Sequence, residues 1–371
     1  MRKSFILFLA FASATLFSCK NNNNQADDFD GITIYAPLLD EEHTEHPALD
    51  YFVSSFDTIR LQSTVLESYF ANVSDVKMTK DLIFIKSGDA VFIFDHQGAF
   101  VRKISKRGRG HGEYSRVSKF DIQEEKEQLS IFDSDQNQIY VYTFNGDFIK
   151  KIPVQNWCVD FAVLPNGNYL MMNLIDEREG VRGLWEMDDQ GNTVKVLFRL
   201  PDYYQHISLN QQYLVHINDS VIGCQGLENT DLIYYFQNDS LMPIYKVNTD
   251  ITIPREIMEK DGRWENPDKE YTKAGYWETD RFMGMSVLNF KNFLVLVYDK
   301  KEDRLFRYYD TELMAEGNDI PYVASFEYCY KQKGVQVINY GMVMQSEEVK
   351  AAFPEFTAES NPILIITNLT R

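Results

Sequence analysis

Short apolar runs recur along this chain, at residues 82–85, 91–94, 169–172, 232–236, 293–298 and 363–366. They are continuous rather than alternating. A strand with one wet face alternates apolar and polar positions, whereas a strand covered on both faces need not, so these runs predict strands buried inside stacked sheets. Between them lie DHQG at 95–98, NG at 145–146, PNG at 165–167, DDQG at 188–191 and NDS at 238–240. Such residues tolerate the positive φ of tight hairpins. The stretch 106–152 is the fullest example. A glycine-rich loop leads to strands expected at 119–122, 129–132 and 139–142, and an Asn-Gly corner leads to a closing strand, which together make one four-stranded blade.

Residues 90–104 lie over residues 138–152 without a gap, at a shift of 48. Gly98 falls on Gly146, Phe100 on Phe148, Lys103 on Lys151 and Ile104 on Ile152, while Val91 matches Ile139 and Ile93 matches Val141. A period near 40–50 residues with several strands in each unit predicts an all-β propeller of four-stranded antiparallel sheets. Dividing residues 31–371 by this period gives about seven units. Residues 251–278 read instead as an insertion, with a short helix over 251–262, which leaves six blades. Five are expected at 71–112, 113–160, 161–205, 206–250 and 275–325. The sixth would combine 334–344 and 363–369 with a strand near 58–62, because closing the ring removes its free edges.

The ends and the charge add an address. Arg2 and Lys3 precede an uncharged stretch rich in Phe, Leu and Ala that runs to Ser18, the pattern of an export signal. Leu16-Phe17-Ser18-Cys19 resembles a lipobox, so residues 1–18 are expected to be a lipoprotein signal peptide and Cys19 the lipidated residue. Residues 19–31 are polar and form a flexible tether, and 32–371 form one propeller domain with the insertion around 251–278. Without residues 1–18 the chain keeps 35 Lys and Arg against 55 Asp and Glu, a net charge of −20. That excess repels phosphate and excludes nucleic acid as a partner.

Candidate chemistry is sparse. Arg107, Arg109 and His111 lie in the basic, glycine-rich loop, where backbone amides and cations could gather an anion or acidic sugar. Trp264, Tyr271, Tyr276 and Trp277 cluster in the polar insertion, where aromatic faces could stack on sugar rings or anchor a partner. Neither a P-loop lysine nor a GxSxG elbow is present, so no catalytic residue is assigned. Residues 133–137 alternate oxygen-bearing side chains, but Gln138 stands where a calcium loop needs glycine and Phe144 where it needs glutamate. His43 and His46 lack an HExxH context. Cys158, Cys224 and Cys329 sit among apolar residues and read as buried thiols.

Gly108-Arg109-Gly110-His111-Gly112-Glu113-Tyr114, followed by Phe120-Asp121-Ile122, Ile131-Phe132-Asp133 and Gln138-Ile139-Tyr140, resembles an NHL-type repeat. More closely, it is similar to a family of six-bladed β-propeller lipoproteins of Gram-negative gut bacteria, whose loop reads about GxGPGEY. His111 replaces the usual proline, and Asn361-Pro362-Ile363-Leu364 matches that family's closing strand. The resemblance implies a lipid-anchored protein of the outer membrane, on its periplasmic face or at the cell surface. It would act without catalysis as a binding or scaffold protein for a glycan, peptide or envelope protein, and no cofactor is expected. The alternative, suggested by other six-bladed propellers, is a calcium-dependent hydrolase or lactonase with its metal in the central channel.

Overall fold

The computed structural model describes residues 29–36, 49–173, 181–200, 212–225, 232–248, 272–288, 293–309, 326, 328–345, 350–351 and 353–369. The chain begins with β1 (Ile32–Tyr35), a helical turn α1 (Leu49–Phe52) and β2 (Ser55–Arg60). Blade one is β3 (Asp75–Met78), β4 (Leu82–Ser87), β5 (Ala90–Asp95) and β6 (Phe100–Ile104). Blade two is β7 (Lys119–Gln123), β8 (Gln128–Asp133), β9 (Gln138–Thr143) and β10 (Phe148–Pro153). Blade three is β11 (Asp160–Val163), β12 (Tyr169–Asn173), β13 (Gly183–Met187) and β14 (Thr193–Arg199). In blade four, β15 (Leu214–His216), β16 (Ile222–Cys224), β17 (Leu232–Gln237) and β18 (Ser240–Asn248) carry β1 as a fifth, parallel strand. Blade five is β19 (Thr272–Glu278), β20 (Phe282–Leu288), β21 (Phe293–Asp299) and β22 (Arg304–Tyr309). Blade six joins β23 (Tyr328–Tyr330), β24 (Lys333–Ile338) and β25 (Ile363–Asn368) to β2, with the short helix α2 (Tyr340–Gln345) between β24 and β25.

The architecture is therefore the six-bladed, all-β propeller that the repeat predicts. β2 pairs antiparallel with β25, Ser55 opposite Asn368 and Arg60 opposite Ile363, so the two ends of the chain share blade six. The middle strands are apolar on both faces because neighbouring blades cover both; β5 and β9 are buried along almost their whole length. Outer strands β6 and β10 alternate exposed and covered positions instead. The repeat extends to its irregularities, since both strands bulge just after Phe100 and Phe148, equivalent residues at the 48-residue shift. Such a bulge twists an outer edge away from unwanted pairing.

The core lies between blades. One cluster joins blades six, one and two through Phe84, Phe94 and Tyr114, and another joins blades four and five through Phe282 and Trp277. Tyr51 and Phe52 of α1 pack edge-on against Phe306 at centroid distances of 5.0 and 5.2 Å, and the Tyr51 hydroxyl donates to Asp299 at 2.8 Å. The N-terminal segment thus straps the outside of blades four, five and six. At Gly98, φ is +83° and the carbonyl accepts the Gln62 amide at 2.8 Å; a side chain there would overlap the Arg60 carbonyl. A glycine is therefore required where blade one meets the closing strand.

Two expectations change. Blade six takes its first strand from Tyr328–Tyr330, three residues too short to show as a run, and residues 340–345 form α2 rather than continuing a strand. The expected insertion 251–278 overlaps β19, so its last seven residues, 272–278, are strand; the helix expected at 251–262 falls outside the described residues. Cys158, Cys224 and Cys329 are unpaired and buried, and burial pushes all three thiols up, Cys329 to about 12. A disulfide-exchange reagent at pH 8 is expected to leave them unmodified in the native protein and to titrate all three in guanidinium. Prompt native labelling of any one would contradict its burial.

Candidate functional site at the channel mouth

The first strand of each blade lines the central channel, and its period of two turns alternate side chains toward the axis. Four of these strands carry ionisable groups that meet across the channel, Asp75 and Lys77 on β3, Lys119 and Asp121 on β7, Asp160 on β11 and His216 on β15, while Glu278 on β19 is buried against blade four. Burial of charge is costly unless it is paired, and the pairing here runs both within and between blades. Lys77 lies 3.5 Å from Asp75, Lys119 lies 3.7 Å from Asp160, and His216 Nε2 lies 2.9 Å from Asp121 Oδ2. The Val163 amide donates to the same Asp121 oxygen at 2.7 Å, and the Tyr213 and Leu214 amides donate to Asp160 at 2.8 and 3.0 Å. Glu278 accepts the Tyr276 and Tyr235 hydroxyls and the Lys300 ammonium.

The titration shifts follow from this geometry. Burial raises Asp75 above the ordinary carboxylate range. For Lys77 burial works against the charge, but the carboxylates of Asp75, Asp121 and Asp160 outweigh it and hold the ammonium above the usual lysine range. Burial also opposes ionisation of Asp121, yet His216, by charge and hydrogen bond, and Lys77 pull it below the usual range.

Blade six reaches past blade five to blade four. The Lys331 amide donates to the His216 carbonyl at 2.7 Å, the Gln212 amide to the Cys329 carbonyl at 3.1 Å, and the Gln332 amide to the Ile217 carbonyl at 2.9 Å. These bonds carry Tyr330 and Lys331 to the end of the channel where the first strand of each blade turns into its second. A cavity of about 550 Å³ opens there, between blades two, three, four and six. His216 and Tyr330 form its base, their rings 5.3 Å apart. Val163, Leu164, Ile222 and Phe236 supply apolar wall; Glu124, Asp219, Asp239 and Lys331 stand at the rim.

The residues singled out from sequence lie elsewhere. The loop of Arg107, Arg109 and His111 joins blade one to blade two at the opposite end of the ring from this cavity. Arg107 is largely exposed and pairs with Asp89 at 3.2 Å, Arg109 is exposed, and the exposed His111 ring packs edge-on against Phe148 at 4.9 Å. The amides thought to cradle an anion already have acceptors: Gly110 donates to the Glu113 carboxylate at 2.7 Å and Gly108 to the Tyr114 carbonyl at 2.9 Å. The loop supplies its own anion and pins two blades, since the buried Tyr142 hydroxyl donates to the Gly112 carbonyl at 2.7 Å. Tyr276 and Trp277, expected in the polar insertion, are buried on β19 at 4% and 2% exposure, with Trp277 edge-on to Phe326. Trp264, Tyr271, Cys19, His43 and His46 lie outside the described residues.

His216, Asp121, Tyr330 and Lys331 were not singled out. The available signal was polarity inside otherwise apolar strands, Asp121 between Phe120 and Ile122 and His216 between Val215 and Ile217, but only the ring shows that the two meet.

Six antiparallel blades around a charged channel, paired within and between blades, define a six-bladed β-propeller with a polar mouth cavity. Within that class, the chain belongs to the family described as a domain of unknown function, DUF4934, whose model matches residues 38–368. An exported protein of Bacteroides fragilis is similar in structure, with a TM-score of 0.72 at 15% identity over 92% of this chain and 99% of that one. A member of the DUF4221 family from Bacteroides vulgatus gives 0.53 at 8% identity over 86% and 97%. No curated protein matches the chain.

Proposed function

We propose that this protein is an envelope lipoprotein, held by lipid on Cys19 at the outer membrane or cell surface, that binds a glycan, a peptide or a segment of a partner protein without catalysis. The observation that carries this reading is the mouth cavity: about 550 Å³, apolar in its walls and polar at base and rim, built on strand ends of four blades. Cavities of this volume and mixture are usual ligand sites, and a rigid ring with turns at its end is a suitable frame for one. The signal-like N-terminus and lipobox support the address, as does the likeness to an exported protein.

The calcium-dependent alternative draws no support from the channel. Asp75, Asp121 and Asp160 face Lys77, His216, Lys119 and backbone amides, and among the described residues no three His, Cys, Asp or Glu side chains are grouped to hold a metal ion.

Ser220 lines the cavity and is exposed, so Ser220→Trp should obstruct the mouth without disturbing the core. Soluble protein lacking residues 1–19 would be titrated with envelope glycans and peptides. Any ligand of the cavity is expected to lose at least about tenfold in affinity in Ser220→Trp, with the melting temperature unchanged. Ligands that bind equally well to both proteins would place recognition elsewhere. Lipidation is checked by labelled fatty acid incorporation, which Cys19→Ser should abolish.

A further inference from the structure

We infer that the mouth cavity is a site for an organic cation, an alkylammonium or guanidinium group carried on a short apolar stem. This rests on the cavity being the binding site and names what enters it.

Charge gives the first argument. Glu124, Glu125, Asp219 and Asp239 line the cavity, with Lys331 as the one lysine or arginine among its lining residues. The whole chain is acidic, at −18, so the field at the mouth concentrates cations and repels carboxylates and phosphates.

Lys331 gives the second. Its Nζ lies 2.6 Å from Asp219 Oδ1 and 3.6 Å from Glu124 Oε2, and 5.5 Å from the centroid of the Tyr330 ring. Two carboxylates and an aromatic face are what an ammonium ion seeks. The protein thus fills its own rim with the chemistry the rim selects. Lys331 is fixed by its backbone, at φ +52° in a tight turn and hydrogen-bonded to the His216 carbonyl, whereas its side chain remains partly exposed and can swing aside.

His216 gives a third, independent argument at the base. The residue is 8% exposed and forms part of the cavity wall. Nε2 is engaged by Asp121, and Nδ1 has no hydrogen-bond partner among the described residues. One ring nitrogen of a buried residue on the cavity wall is thus left open to an incoming polar group. The acidic rim calls for donors, and Leu164, Ile222 and Phe236 below it suit methylenes rather than a fully hydroxylated chain.

Such a group has two sources, a free diamine or a lysine or arginine side chain of a peptide, and calorimetry can separate them. The probes are 1,5-diaminopentane, a blocked lysine-containing tripeptide, and the neutral and anionic controls 1,5-pentanediol and glutarate. At least one cationic probe is expected to bind at least about tenfold more tightly than either control. Binding of the tripeptide alone would assign the site to a partner's side chain, and binding of the diamine alone to a small metabolite. Glu124→Gln with Asp219→Asn should weaken the cation about tenfold, while Lys331→Met, which removes the internal competitor at unchanged backbone geometry, should strengthen it severalfold.

Equal binding of diol and diamine, or affinity indifferent to both sets of variants, would overturn the inference. A neutral glycan that is lost in Ser220→Trp but unmoved by the acid and lysine variants would overturn it while leaving the cavity as the binding site. If no ligand of any charge responds to Ser220→Trp, the cavity reading itself fails.

Discussion

Asn361→Ala is expected to lower the melting temperature by roughly 5–10 °C, a larger loss than a surface change could cause. The Asn361 side chain is 2% exposed and makes three bonds. Its Oδ1 accepts the Phe70 amide at 2.8 Å, and its Nδ2 donates to the Gln62 and Ser68 carbonyls, each at 2.8 Å. All three partners lie in the connection between β2 and β3, nearly 300 residues away in sequence, so this one amide ties the last strand of the chain to the path from blade six into blade one. Alanine would leave one buried N–H and two carbonyls without partners, at a cost of about 3 kcal/mol or more. Denaturant unfolding would measure it. A drop of under about 2 °C would mean that water enters and replaces the amide.

Asp121→Ala should cost about 3–5 kcal/mol, because it strands a buried partner rather than removing a whole pair. The substitution leaves His216 and the Val163 amide without their shared acceptor and takes one carboxylate from beside Lys77. The pH dependence has a definite sign. The folded carboxyl of Asp121 titrates below its unfolded value, so its contribution is full above the unfolded value near ~3.9 and is lost as pH falls through the folded one. Asp75 acts in the opposite sense. Its folded value is raised, so its contribution is present at low pH and lost as pH rises through that value. Asp121→Asn should therefore lose less stability than the wild-type protein as the pH is lowered below about 4. Lys77, raised in the folded state, contributes below the unfolded lysine value and loses that contribution at alkaline pH. Unfolding midpoints across pH 3–6 decide the matter, and parallel curves for the two proteins would refute the assignment.

The blades were readable because strand two and strand three of each unit are covered on both faces, which writes an unbroken apolar run into the sequence; 91–94 and 363–366 are such runs. The first strands were harder to read because they face a polar channel. β19 begins Thr-Lys-Ala-Gly and ends in Glu278, a pattern that reads as loop although its tyrosine and tryptophan are packed inside. β23 is three residues long and was missed. The site was hidden for a related reason. Asp121 and His216 are 95 residues apart, and neither lies in a motif; closure of the ring brings them together. The glycine-rich loop stood out in sequence for the opposite reason, since its glycines and Glu113 meet purely local demands of turn geometry.

The register of β1 also sets a direction for the whole molecule. Ile32 lies beside Tyr245 and Tyr35 beside Asn248, parallel to β18, so the leading segment arrives from the side of the Asn238–Asp239 turn, which borders the cavity. One end of the ring therefore carries both the cavity and the entry of the chain into the sheets, while the arginine-bearing loop lies at the other end.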